Sequence, residues 1–201
     1  MAVKYNCGSG PNRKEGMINV DKFAHQCDLK ADMLTMTYEP ADHIESHHSF
    51  EHLGYVDSFF LLVKWTEALV DGGTLMIDVP DPVAILERMK ESTDPHVHAS
   101  GMRLIYGSQE ADWAKHINGW TPIWLGYVLE LFGYVVKDCR RYSSGGENFP
   151  NCGIEITATK GCTIERSDLV HQAHILLGYY LHPSETGLHA MYCNQFDRRL
   201  G

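Results

Sequence analysis

The chain has 201 residues, a formal net charge of −9, 44% hydrophobic residues and 21% charged residues. This is a globular composition with enough length for one core, and it excludes a disordered chain. Acidity, with tight basic clusters only at Arg140-Arg141 and Arg198-Arg199, argues against a nucleic-acid partner, and the apolar runs are too short for a membrane span. In chain order, strands are expected at residues 3–6, 17–20, 26–29 and 42–46. A helix is expected at 55–70, where Val56, Phe59, Phe60, Val63, Ala68 and Leu69 fall mostly on one face, and Gly72-Gly73 is expected to end it. A buried strand at 74–79 stops at Pro80, and a helix at 82–90 follows. Residues 91–119 show no clear period. A helix at 124–132, strands at 134–142 and 154–159 around a Gly/Ser/Asn-rich turn at 143–151, and a helix at 168–181 complete the pattern; beyond Pro183 no signal stands out. The six cysteines include no C-x-x-C pair, and the chain opens directly into a strand, so reduced thiols and a cytoplasmic location are expected.

Strands alternating with helices predict an α/β fold, a Rossmann-like, doubly wound and mostly parallel sheet, with the last two strands as an antiparallel edge hairpin. Ligands in such sheets bind beyond the carboxyl ends of the strands, where Gly8, Asp21, His47 and Pro80 should meet. The first strand runs into Gly8-Ser9-Gly10, and the second ends at Asp21. A dinucleotide fingerprint needs a third glycine, where this chain has Arg13, and an acid about 20 residues on, whereas Asp21 comes early. A tight turn, backbone amides and a carboxylate for ribose hydroxyls remain, which suit a small zwitterionic nucleoside and disfavour a dinucleotide oxidoreductase.

The motifs KYNCGSG (4–10), GMINVD (16–21), HHSFEH (47–52), GGTLMIDVPD (72–81), MRLIYG (102–107) and HINGW (116–120) occur in order. This series resembles the class I S-adenosylmethionine-dependent methyltransferases, of the small predicted methyltransferase type, over residues 3–159. The resemblance implies S-adenosylmethionine as cofactor, S-adenosylhomocysteine as product, and methyl transfer to an O or N atom of a small-molecule acceptor. A non-catalytic cofactor-binding or scaffold protein with the same fold is the alternative. It implies cofactor contacts from Asn6, Cys7, Gly8, Ser9 and Gly10 in the glycine loop and from Asp21 at the ribose. Asp32 and Met33 would flank adenine, and His47 and His48 would lie beside the reactive side.

His48 and His116 are the candidate catalytic bases, since imidazole accepts protons near neutral pH. The strand at 42–46 is unusually polar, so which histidine faces the ligand stays open. Asp32 can also be read as a helix cap. Glu51 and His52 are expected to start the helix at residue 55 and bond its amides. No metal is expected: HHSFEH is not a zinc spacing, and His25, His96, His98 and His116 are scattered. Tyr106, Trp113, Trp120 and Trp124 are either core or a cover over the cofactor's sulfonium. The domain is expected to span 1–161, with 91–120 as lid and acceptor segment. Residues 162–201 form a helical extension, whose helix serves packing or a homodimer.

Overall fold

The computed structural model describes residues 3–144 and 151–201; of the turn expected at 143–151, residues 145–150 lie outside the described residues. The elements run β1 (Lys4–Cys7), β2 (Ile18–Asp21), β3 (Leu29–Lys30), β4 (Ala41–His47), α1 (Tyr55–Ala68), β5 (Leu69–Pro80), α2 (Pro82–Glu91), α3 (Pro95–Tyr106), α4 (Pro122–Leu131), β6 (Tyr134–Ser144), β7 (Asn151–Lys160), α5 (Arg166–Gly178) and α6 (Thr186–Leu200). Single 3-10 turns lie at Phe50–His52 and Asp112–Ala114.

The seven strands form one sheet in the order β3-β2-β1-β4-β5-β7-β6. Neighbours from β3 to β5 are parallel, and β7 pairs antiparallel with both β5 and β6. The order reverses between β1 and β4, which is the doubly wound pattern expected, with its antiparallel edge. The reversal point is where a ligand crevice opens beyond the strand ends.

Alternation along the strands divides the sheet into two unlike faces. Cys7, Ile44, Leu75, Ile77, Ile154 and Ile156 are fully buried and join the main core with α1, α4, α5 and α6. Each such Leu, Ile or Phe stabilises the fold by about 1.5–3 kcal/mol. The residues between them, Asn6, His43, Glu45, His47 and Asp78, are polar and point the other way. The connections β1–β2, β2–β3 and β3–β4 contain no helix. That explains the polar β4 strand: its second face meets side chains such as Lys14, whose Nζ lies 2.5 Å from Glu45 Oε1, rather than a helix.

Several boundaries differ from expectation. Gly72-Gly73 does not end α1; the helix stops at Ala68, and the glycines lie inside β5, beside a register shift between Ala41 and His43. Gly73 is required there, since a Cβ would sit 2.8 Å from the Val70 carbonyl. The aperiodic segment after α2 contains a real helix, α3. Asp94 caps it by accepting the His96 amide at 2.9 Å, Pro95 pre-sets its first turn, and Gly107 at φ 80° ends it. α6 is a second helix without a sequence signal, anchored by fully buried Phe196. The stripe Leu169, Ala173, Leu176 and Leu177 of α5 is buried against the same core, so residues 162–201 share one core with the sheet.

Candidate functional site

The glycine loop is tied down from within. Gly8 and Gly10 have φ of 69° and 51°, in the region where glycine is favoured. The amides of Gly8 and Ser9 both donate to the Val20 carbonyl, at 2.9 and 3.0 Å, and the Gly10 amide donates to Asp21 Oδ2 at 2.8 Å. Asp21 Oδ1 accepts the amides of Phe23 and Ala24, each at 2.7 Å. The loop amides expected to face a ligand are therefore already bonded inside the chain. What the loop offers is close backbone approach: a Cβ on Gly8 would lie 2.4 Å from Ser49 Oγ. Ser49 Oγ in turn donates to the Cys7 carbonyl at 3.2 Å, joining the ends of β1 and β4.

A cavity of about 600 Å³ opens over this loop, lined by Gly8, Gly10, Asp21, Asp32, Met33 and His48, all expected from the sequence, together with Phe23, Leu34, Ser49, Leu53 and Trp113. Asp32 accepts from the Leu34 amide and from Lys22 Nζ, both at 2.9 Å. Burial opposes its charge, but these bonds outweigh that and hold its carboxyl below the usual range. Four expected contacts do not reach this cavity. Asn6 bridges the Asn12 carbonyl and Asn19 Oδ1, each at 3.0 Å. Cys7 points into the core, where burial pushes its thiol up to about 12. Ser9 is buried. His47 lies on the polar face, its Nδ1 3.0 Å from Asp78 Oδ2, and that bond raises it to about 9.

A second cavity, about 390 Å³, adjoins the first. Its walls include Glu51, Pro80, Ser100, Arg103, Leu104, Gly107 and His116. His48, His52 and Trp113 line both cavities. His48 is held at φ 45°, uncommon for a residue with a side chain. Its amide donates to the Asp78 carbonyl at 2.9 Å, and its Nε2 lies 3.1 Å from the Tyr142 hydroxyl. Tyr142 reaches across β7 because Gly153 opposite it has no Cβ, and it donates to Asp78 Oδ1 at 2.7 Å. Glu51, 3.4 Å from His48 Nδ1, raises the His48 pKa against the effect of burial. Burial lowers that of His116.

No protein-family model matches the sequence, and no curated protein does. Solved structures do. A 1,6-didemethyltoxoflavin-N1-methyltransferase from Burkholderia thailandensis, with 1,6-didemethyltoxoflavin and S-adenosylhomocysteine bound, superposes at TM-score 0.56 and 14% identity, over 80% of this chain and 72% of that one. A SAM-dependent methyltransferase from Methanosarcina mazei gives 0.53 at 10% identity, covering 80% and 92%. The chain has the class I methyltransferase fold. A "possible exported protein" from Bordetella parapertussis matches at 0.50 and 15%, over 80% of this chain, which spans 62% of that protein's length.

Within this methyltransferase fold, both cavities lie beyond the carboxyl ends of the parallel strands. The expected roles of Glu51 and His52 as bonds to the α1 amides are not what forms: Gly54 precedes α1 at the cap position, with no side-chain cap bond. Among the described residues both Glu51 carboxylate oxygens are buried without a hydrogen bond, and His52 Nδ1 lies 2.9 Å from the Lys115 carbonyl. Of the aromatic set, Trp120 is core, packed on Phe50 at 5.0 Å between ring centroids. Trp124 stacks on Tyr127, and Tyr106 is exposed. Trp113 is the one at the site, stacked on Phe23 at 5.6 Å. Sequence reasoning did not assign Phe23, Ser49, Leu53 or Tyr142 to the site. Their signal was weak, since each is an ordinary residue next to a strand end or on an edge strand.

Proposed function

We propose that the chain binds S-adenosylmethionine in the larger cavity and transfers its methyl group to an O or N atom of a small molecule in the smaller one. The observation that carries this reading is the pair of adjoining cavities at the strand ends, sharing His48, His52 and Trp113. Adenine would lie against Met33, Leu34 and Phe23, beside Asp32. Asp21 Oδ2 accepts one bond in the chain and keeps a lone pair for a ribose hydroxyl. The methionine end would run past Gly8 and Gly10 towards His48.

In the reaction an acceptor lone pair forms the new bond to the methyl carbon as the carbon–sulfur bond breaks. The bonding pair goes to sulfur, and the sulfonium becomes a neutral thioether. Alignment supplies most of the acceleration. A hydroxyl acceptor also loses a proton, and His48 and His116, two of the three histidines lining its cavity, are the candidate bases. Residues 91–120 supply much of that cavity's wall, which supports their reading as the acceptor segment.

The test is calorimetry. S-adenosylhomocysteine should bind at one site per chain and NAD should not. Asp21→Ala should weaken binding about 10- to 100-fold through loss of charge-assisted bonds. Tight NAD binding with no adenosyl-ligand binding would refute the reading. Given binding, an acceptor screen for S-adenosylhomocysteine production separates an enzyme from a non-catalytic binder.

A further inference from the structure

The wall of the smaller cavity carries Glu51, His52 and His116. Glu51 is 2% exposed, and among the described residues neither of its carboxylate oxygens accepts a hydrogen bond. Its closest approaches are His48 Nδ1 at 3.4 Å and His116 Nε2 at 3.8 Å, too long or too weak to satisfy a buried charge. Removing a carboxylate from water without partners is costly, so a buried one normally has a cation or donors. The two neighbouring imidazoles are oriented by backbone. His52 Nδ1 lies 2.9 Å from the Lys115 carbonyl, and His116 Nδ1 lies 2.8 Å from the Leu104 carbonyl. A carbonyl only accepts, so each Nδ1 carries a proton, and in the neutral ring each Nε2 keeps a lone pair. That is the outer bond that fixes the tautomer of metal-binding histidines. The two rings are 4.9 Å apart, and donor atoms of Glu51, His52 and His116 all lie within 4.8 Å of one another.

We propose that Glu51, His52 and His116 form a binding site for a divalent transition-metal cation of the zinc type. Two imidazoles and one carboxylate are a donor set that zinc accepts, and three protein ligands leave at least one position open. Bonds of about 2.0–2.2 Å require the donors to draw closer than they now stand. The open position would face the cavity lined by Arg103 and Ser108. There the cation would polarise a coordinated hydroxyl, and His116 would serve as ligand instead of base. The donor set is defined by side chains alone, so the site stands or falls separately from methyl transfer.

The test uses chelator-treated full chain titrated with Zn²⁺ alone and with Co²⁺ alone, by calorimetry and visible absorption. One cation per chain is expected, with a cobalt spectrum of nitrogen and oxygen ligands and no thiolate charge-transfer band. Glu51→Gln, His52→Ala and His116→Ala should each weaken binding by at least about 10- to 100-fold, the loss seen when only an outer partner is removed. His96→Ala, an exposed histidine on α3, should leave it unchanged. Glu51→Gln should also keep the fold without metal, since the amide has the shape of the carboxylate it replaces. If that variant fails to fold, half-buried His52 carries the comparison. No saturable binding, a thiolate band, or binding that survives all three substitutions would overturn the proposal. Calorimetry with S-adenosylhomocysteine on the same metal-free protein shows separately whether the adenosyl site is intact.

Discussion

Gly8 is tightly constrained at the crevice. Its φ of 69° is strained for any side chain, and an added Cβ would meet Ser49 Cβ and Oγ at 2.4 Å. Ser49 cannot withdraw freely, because its hydroxyl bonds the Cys7 carbonyl and lies 2.6 Å from Ser46 Oγ. Gly8→Ala is therefore expected to cost about 1–3 kcal/mol of stability and to weaken S-adenosylhomocysteine binding. Denaturant titration and calorimetry check it, and a variant as stable and as tight as wild type would show that the loop yields easily. Gly8, Gly10 and Asp21 were legible in the sequence because a turn after a strand needs those residue types. That the loop amides are bonded internally was not legible, because it depends on where Val20 places its carbonyl. The cluster around Glu51 was hidden for a similar reason: His116 joins His48 and His52 from a distant segment, and no spacing in HHSFEH reveals it.

Among the elements, β1, β2, β5, β7 and α1 were readable from their apolar residues, whereas the strand expected at 26–29 forms only at Leu29–Lys30, with both residues exposed. α3 was not readable, since its buried residues are Val97, Ser100 and Gly101, two of them too small to register as an apolar stripe. Gly101 is small for a reason: a Cβ there would lie 2.5 Å from Met89 Sδ of α2. α6 escaped notice because only Phe196 is fully buried. The end of α1 shows an interaction that periodicity cannot predict. Lys160, from β7, is 5% exposed and donates to the carbonyls of Thr66 and Leu69 at 2.8 and 2.6 Å, placing a cation at the negative end of the helix. Lys160→Met should lower stability by about 1–3 kcal/mol by leaving those carbonyls unpaired. Thermal melting checks this, with S-adenosylhomocysteine affinity at low temperature expected to be unaffected, since Lys160 is remote from both cavities.

For the molecule as a whole, the helix-free polar face makes stability depend on pH. His47 is raised from 6.5 to about 9, first by Asp78 and then by Glu45, while Lys14 Nζ, 2.8 Å from its Nε2, opposes the rise. A raised base stabilises the fold fully below about 6.5 and loses that contribution as pH climbs through about 9. Glu45 and Asp78 are lowered: burial opposes their charge, but bonds from His43, His47 and Lys14 to Glu45, and from His47 and Tyr142 to Asp78, prevail. Their contribution is present above the ordinary carboxylate range and is lost as pH falls. The network should thus be strongest between about pH 4.5 and 6.5. Unfolding free energy should decline from pH 6.5 to 9 by about 1–2 kcal/mol, allowing for partial solvation of the ring. His47→Gln should flatten that decline, and an identical slope in the variant would assign it to other groups.

The Phe23–Trp113 stack over the crevice has an optical consequence. The other three indoles are placed differently: Trp65 and Trp120 are enclosed in the core, and Trp124 is partly covered beside Tyr180. Trp113 is 48% exposed and sits where the two cavities meet. Its emission is expected to form the red-shifted component of the protein's fluorescence, and an adenosyl ligand sliding beneath the stack would quench that component while leaving the blue one in place. The fold thus carries its own occupancy gauge, readable in a cuvette without label or radioactivity.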